Sequence, residues 1–132
     1  MKRVLFVCVE NAGRSQMAEA LANYYGKGKL FASSAGVVLA ESVNPVVVEV
    51  MKEKGIDISS NRPKLLTLSM AEEADIIVTM GCSVESVCPA PLLKNAIDWR
   101  LEDPKGKPIE KVRQIRDEVE EKVKKFISEL SS

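Results

Sequence analysis

Residues 4–9, Val4-Leu5-Phe6-Val7-Cys8-Val9, form an unbroken apolar run that stops at a polar residue, Glu10. A short, continuous, β-rich apolar stretch of this kind suits a strand buried on both faces inside a parallel sheet. It passes through a small polar loop, Glu10-Asn11-Ala12-Gly13, into a segment with helical spacing. There Met17, Ala18, Leu21, Ala22 and Tyr25 recur three and four residues apart, and Gly26 supplies a stop. A buried strand feeding directly into a helix is the opening of an α/β fold.

The rest of the chain repeats that grammar. Residues 30–35 read as a shorter strand closed by Gly36. Asn44-Pro45 provides a cap followed by proline at the first helical position, with Val47, Val48, Val50 and Met51 on the buried side and Gly55 as terminator. Residues 74–80 form the second clear buried strand, ended by Gly81, and residues 95–101 a weaker one. Asp103-Pro104 with Gly106 reads as a loop. A final helix spans about 108–130, where Ile109, Val112, Ile115, Val119, Val123, Phe126, Ile127 and Leu130 step by three and four. Glu118–Lys122, Glu120–Lys124 and Glu121–Lys125 support its wet side, so the helix reads as core packing plus a solvated face. Strand–helix alternation with short turns predicts one α/β domain over 1–132, with a parallel sheet covered on both faces and right-handed crossovers.

Composition narrows the chemistry. With 132 residues, 45% of them hydrophobic, the chain can bury a core without covalent staples. Nineteen basic and nineteen acidic side chains cancel, so no broad positive field points to nucleic acid or an anionic membrane. Histidine is absent, which excludes Ser–His and Cys–His pairs, histidine metal ligands and an imidazole base. Three cysteines, an odd count, do not make a disulfide framework. Met1-Lys2-Arg3 followed by the apolar run imitates a signal peptide, but the run is too short and no small-residue cleavage site follows. No stretch approaches transmembrane length, and a reduced, cytoplasmic compartment is expected.

In open α/β sheets ligands bind beyond the carboxyl ends of the strands. The first such turn reads Cys8-Val9-Glu10-Asn11-Ala12-Gly13-Arg14-Ser15. Backbone N–H groups of a tight loop entering a helix converge on an oxyanion, and the helix dipole adds to them. That assigns Glu10, Asn11, Ala12, Gly13 and Arg14 to oxyanion binding, with the Arg14 guanidinium holding two oxygens of a tetrahedral anion. Cys8 sits at the base of this positive cradle, where the field favours the thiolate, and the Ser15 hydroxyl is placed to hydrogen-bond it. A thiolate facing a bound oxyanion is a nucleophile aimed at the central atom.

Cys8-x5-Arg14-Ser15 with Asn11 inside resembles the phosphate-binding loop of the low-molecular-weight tyrosine phosphatase fold. The continuation Ser15-Gln16-Met17-Ala18-Glu19, with Ser34-Ala35-Gly36, Asn44-Pro45 and Asp57-Ile58-Ser59, is closer to the thioredoxin-coupled arsenate reductases built on that fold. The resemblance covers nearly the whole chain. It implies a four-stranded parallel sheet flanked by helices, Cys8 as nucleophile, Arg14 as oxyanion clamp, Ser15 as thiolate stabiliser and Asn11 as the residue shaping the loop. On residues alone Asp103-Pro104 is an ordinary turn; the resemblance implies that Asp103 is the general acid. It also implies a relay: Cys8 attacks arsenic, Cys82 attacks Cys8, and Cys88 attacks Cys82, leaving a disulfide for thioredoxin to reduce. Were 83–87 helical, residues six apart would lie about 9 Å apart along the axis. A disulfide needs Cα atoms within about 7 Å, so pairing of Cys82 with Cys88 would unwind the segment.

The expected partners are thioredoxin or a similar dithiol protein and an arsenate, phosphate or sulfate oxyanion. The chain is expected to act as a monomer without a cofactor. A Cys₃ metal site is disfavoured by the depth of Cys8 and the missing fourth ligand. Some relatives bind potassium through a cluster matched here by Asn11, Glu19 and Ser34; Lys64 aligns with the fourth ligand, an acid there, and implies no potassium requirement. Two further departures stand out: five residues rather than six separate Cys82 from Cys88, and Gly13 stands where relatives often have cysteine, which frees the backbone. Trp99 is expected beneath the Asp103 loop. The competing readings are a phosphatase acting on phosphomonoesters and a non-enzymatic redox or oxyanion sensor.

Overall fold

The computed structural model describes residues 2–38, 40–80 and 97–130. β1 (Lys2–Cys8) is buried from Val4 onward, as its unbroken apolar run requires, and lies inside the sheet. It pairs in parallel with β2 (Leu30–Gly36) on one side and β3 (Ile76–Thr79) on the other, and β4 (Ile97–Asp98) continues outward from β3. The resulting four-stranded order is β2-β1-β3-β4, all parallel. The chain steps to β2 on one side of β1 and later to β3 on the other. The carboxyl ends of β1 and β3 therefore flank a topological switch point, where such sheets open a crevice.

Alternation along β1 splits the core in two. Val4, Phe6 and Cys8 face a large cluster built with Met17, Leu21, Val47, Met51, Val119 and Val123, contributed by α1 (Arg14–Tyr25), α2 (Pro45–Lys52) and α4 (Ile109–Leu130). Leu5 and Val7 face a smaller cluster with Ala35, against which Leu66, Met70, Ala74 and Ile77 pack. Covering on both faces is thus realised, but unequally.

Several boundaries differ from the sequence reading. The Asn44 side chain accepts from the Val46 N–H, capping α2 as expected, but the helix ends at Lys52 and Gly55 (φ 77°) sits in the turn beyond it. Tyr25 leaves the buried stripe: its ring lies at the surface and its hydroxyl donates to Glu120. α3 (Leu68–Glu73), absent from the sequence reading, is capped by Thr67, whose hydroxyl accepts from the Met70 N–H at 3.1 Å. No residue of α3 is fully buried, so it carries no apolar period to be read. The strand predicted over 74–80 contracts to β3; of the one predicted over 95–101, residues 95 and 96 lie outside the described residues, Ile97–Asp98 form β4 and residues 99–101 are not strand. Trp99 is half-buried and packs against the large cluster, with Phe6 and Phe126 at ring-centroid distances of 5.5 and 6.0 Å. Among the described residues no helix is long and apolar enough to cross a membrane.

Candidate active site

Cys8 is the last residue of β1 and is buried, and Arg14 is the first of α1. The turn between them needs one left-handed residue, and Asn11 fills it at φ 54°, a conformation that asparagine tolerates better than most side chains. The turn also crosses over Gly36. A Cβ there would stand 2.8 Å from the Asn11 backbone nitrogen and 2.9 Å from the Val9 carbonyl oxygen, so only glycine lets the two backbones pass. From the far side, the Asn44 N–H donates to the Ala12 carbonyl at 2.9 Å and pins the turn to the start of α2. Among the described residues, the N–H groups of Glu10, Ala12 and Gly13 find no acceptor, as an anion cradle requires.

Hydrogen bonds around Cys8 have a defined direction. The Lys64 backbone N–H, which can only donate, lies 2.8 Å from Asn11 Oδ1. Gln16 Nε2 donates to the same oxygen at 3.1 Å and to the carbonyls of Asn11 and Arg62, both at 3.2 Å. The amide of Asn11 is therefore fixed with Nδ2 donating to Ser15 Oγ at 2.7 Å. Ser15 is wholly buried, and its hydroxyl proton is left with one acceptor among the described residues, Cys8 Sγ at 2.7 Å. The Asn11 N–H donates to the same sulfur at 3.2 Å. Two donors thus converge on one sulfur.

Arg14 is 5% exposed, a burial that a guanidinium tolerates only with good partners. Nη1 donates to the Met80 carbonyl at 2.6 Å, just past β3, and to the Leu101 carbonyl at 2.9 Å. Nη2 lies 3.9 Å from Asp103 Oδ2. Asp103 Oδ1 accepts from the Lys105 N–H at 3.0 Å, the local Asx turn that aspartate before proline favours. The Asp103 carboxyl is half-exposed at the mouth of a cavity of about 510 Å³ that Cys8, Ala12, Gly13 and Arg14 also line.

The structure thus brings Cys8, Glu10, Asn11, Ala12, Gly13, Arg14, Ser15 and Asp103 to one place, 95 residues apart at the extremes of the sequence. Cys82 and Cys88 lie outside the described residues. Two features exceed the sequence reading. The Glu10 carboxylate is turned to Lys105 Nζ at 2.8 Å. Gly13 does more than free the backbone: a Cβ there would stand 2.7 Å from Pro104 Cγ, so the bare glycine lets the Asp103 loop close over the turn. Gln16 was not assigned a role from sequence, and polarity at a buried helical position was the signal available.

Behind the cradle, Glu19 Oε1 accepts from the Ser34 hydroxyl at 3.0 Å and from Lys64 Nζ at 3.2 Å. An ammonium on that carboxylate does not fit a further monovalent cation held by the same oxygen, because the two positive charges would compete for it.

Residues 3–132 match the family described as Low molecular weight phosphotyrosine protein phosphatase. An arsenate reductase from Brevibacillus brevis is 40% identical over 126 residues, covering 95% of this chain and 93% of the relative. A glutaredoxin arsenate reductase from Synechocystis sp. is 37% identical over 134 residues, covering 99% and 100%. Among solved structures, an arsenate reductase in the phosphate-binding state superposes with a TM-score of 0.87 at 36% identity, covering 98% of this chain and 99% of that one. With the family match spanning residues 3–132 and relatives similar along nearly its full length, the chain belongs to the low molecular weight phosphotyrosine protein phosphatase family and is similar to arsenate reductases.

Proposed function

We propose that the protein reduces arsenate to arsenite through its three thiols. The carrying observation is the sulfur of Cys8, which takes hydrogen bonds from Ser15 and the Asn11 N–H at the floor of a cavity walled by Arg14 and Asp103. The amides of Glu10, Ala12, Gly13 and Arg14 and the Arg14 guanidinium hold the oxyanion, while the Asn11 N–H, which sequence reading gave to the anion, serves the Cys8 sulfur. The Cys8 thiolate forms a bond to arsenic, and Asp103, as general acid, protonates the departing oxygen so that it leaves as water. Cys82 as thiolate then attacks the Cys8 sulfur, and the As–S bonding pair stays on arsenic, which departs as arsenite. Arsenic gains two electrons, and the Cys8–Cys82 disulfide carries the oxidation. Attack by Cys88 on Cys82 frees Cys8, and an external dithiol protein reduces the Cys82–Cys88 disulfide. Thioredoxin is the proposed reductant; the glutaredoxin arsenate reductase among the relatives makes glutaredoxin the alternative to run beside it.

Phosphomonoester hydrolysis is the second reading, favoured by the family to which the chain belongs. It would use Cys8, Arg14 and Asp103 without the other thiols. Among the described residues no aromatic ring lines the cavity, which suits a small inorganic oxyanion better than a phosphotyrosine ring.

The test is arsenate-dependent oxidation of reduced thioredoxin and, separately, glutaredoxin by wild type, Cys82→Ser and Cys88→Ser. Loss of multiple turnover in both variants, with a chromogenic phosphate ester still cleaved, supports reduction. Fast phosphotyrosine turnover with both serine variants unimpaired would give the site to the phosphatase reading.

A further inference from the structure

The cavity is meant for an anion, yet three carboxylates line it: Glu10, Glu41 and Asp103. Glu10 is the most awkward of them, since it belongs to the turn whose amides form the cradle. Its carboxylate would repel a dianion entering beside it. The structure supplies a counter-charge from the opposite loop. Lys105 Nζ lies 2.8 Å from Glu10 Oε1, across the cavity mouth and 95 residues away in sequence. Asp103 adds its own charge near the same ammonium, and the Lys105 ammonium is held above its usual range, first by its hydrogen bond to Glu10.

We propose that Lys105 is a determinant of oxyanion affinity, acting by neutralising Glu10 rather than by touching the anion. This rests on the reading of the cradle as an oxyanion site, but not on any step of the thiol relay. Lys105 is 69% exposed, so the pair adds little to stability, and its effect falls on the field inside the cavity. Removing the ammonium unmasks the carboxylate; removing both charges restores the field.

Binding can be read without turnover. Inorganic phosphate should protect Cys8 from iodoacetamide, with alkylation followed on the Cys8 peptide by mass spectrometry in the full chain. In Lys105→Met the phosphate concentration giving half-protection should rise roughly three- to tenfold at low salt, and less at high salt. Lys105→Arg should bind like wild type. The double variant Glu10→Gln/Lys105→Met should return to within roughly twofold of wild type. Equal protection of Lys105→Met and wild type overturns the proposal. So does a double variant no better than Lys105→Met, which would mean that Lys105 contacts the anion itself. If phosphate fails to protect wild type, the oxyanion reading of the cradle falls with it, a result distinct from failure of the charge pair alone.

Discussion

The ring of Pro104 occupies the space that any side chain at Gly13 would need, 2.7 Å from where a Cβ would stand. Carbon atoms in contact sit about 3.5–4.0 Å apart, so the ring would have to retreat by nearly 1 Å. Pro104 cannot move without Asp103. Gly13→Ala should therefore lower turnover about tenfold while leaving phosphate protection of Cys8 within roughly twofold of wild type, because proton delivery is more sensitive to ångström-scale displacement than anion binding. Steady-state kinetics beside the protection assay checks it.

Ser15 donates to a sulfur that the fixed amide of Asn11 prevents it from ignoring. A hydrogen bond to a charged group contributes about 1.5–3 kcal/mol. Ser15→Ala should thus slow alkylation of Cys8 by iodoacetamide near neutral pH by about tenfold or more, with little change in the unfolding midpoint. An unchanged alkylation rate would show that the hydroxyl proton does not serve the thiolate.

Lys64 places its ammonium against Glu19, which also accepts from Ser34. Replacing potassium by sodium or choline in the assay should leave the rate unchanged. Lys64→Met should make the enzyme responsive to added potassium, since the carboxylate is then left without its counter-charge. Activity lost by wild type in potassium-free buffer would refute this assignment.

Glu53 receives Arg113 on both carboxylate oxygens, at 2.8–3.1 Å, and Arg116 at 2.7 Å. These hydrogen bonds, those from Arg113 foremost, hold its carboxyl below the ordinary value of 4.5. A folded-state value below the unfolded one means that the stabilisation is complete above about pH 4.5 and is lost as pH falls through the folded value. In Glu53→Gln, urea midpoints should fall less steeply between neutral and acid pH than in wild type. Parallel slopes would show that the carboxylate is not anchored in solution.

What the sequence disclosed was what is local in it. Cys8 to Ser15 are eight consecutive residues, and strand, turn and helix start could each be read from them, so the turn that carries Cys8 and Arg14 was legible. The long helix was legible because its apolar period persists through six buried positions; a seventh buried residue, Arg116, lies outside that period and is bonded to the Val50 carbonyl and Glu53. The contacts that finish the site were hidden, since they join distant parts of the chain: Gly13 with Pro104 and Lys105 with Glu10. Gly36 is the plainest case. It read as the end of a strand, and its role as the crossing point beneath the Asn11 turn exists only once β2 lies beside β1.

One nitrogen of Arg14 is tethered to the carbonyls of Met80 and Leu101, the two banks of the stretch in which both remaining cysteines reside. The span cannot shift at either abutment without slackening the guanidinium. Under the proposed relay, any displacement passed to the Met80 or Leu101 carbonyl would reach the guanidinium proposed to hold the guest anion, so the two tasks would share one mechanical anchor.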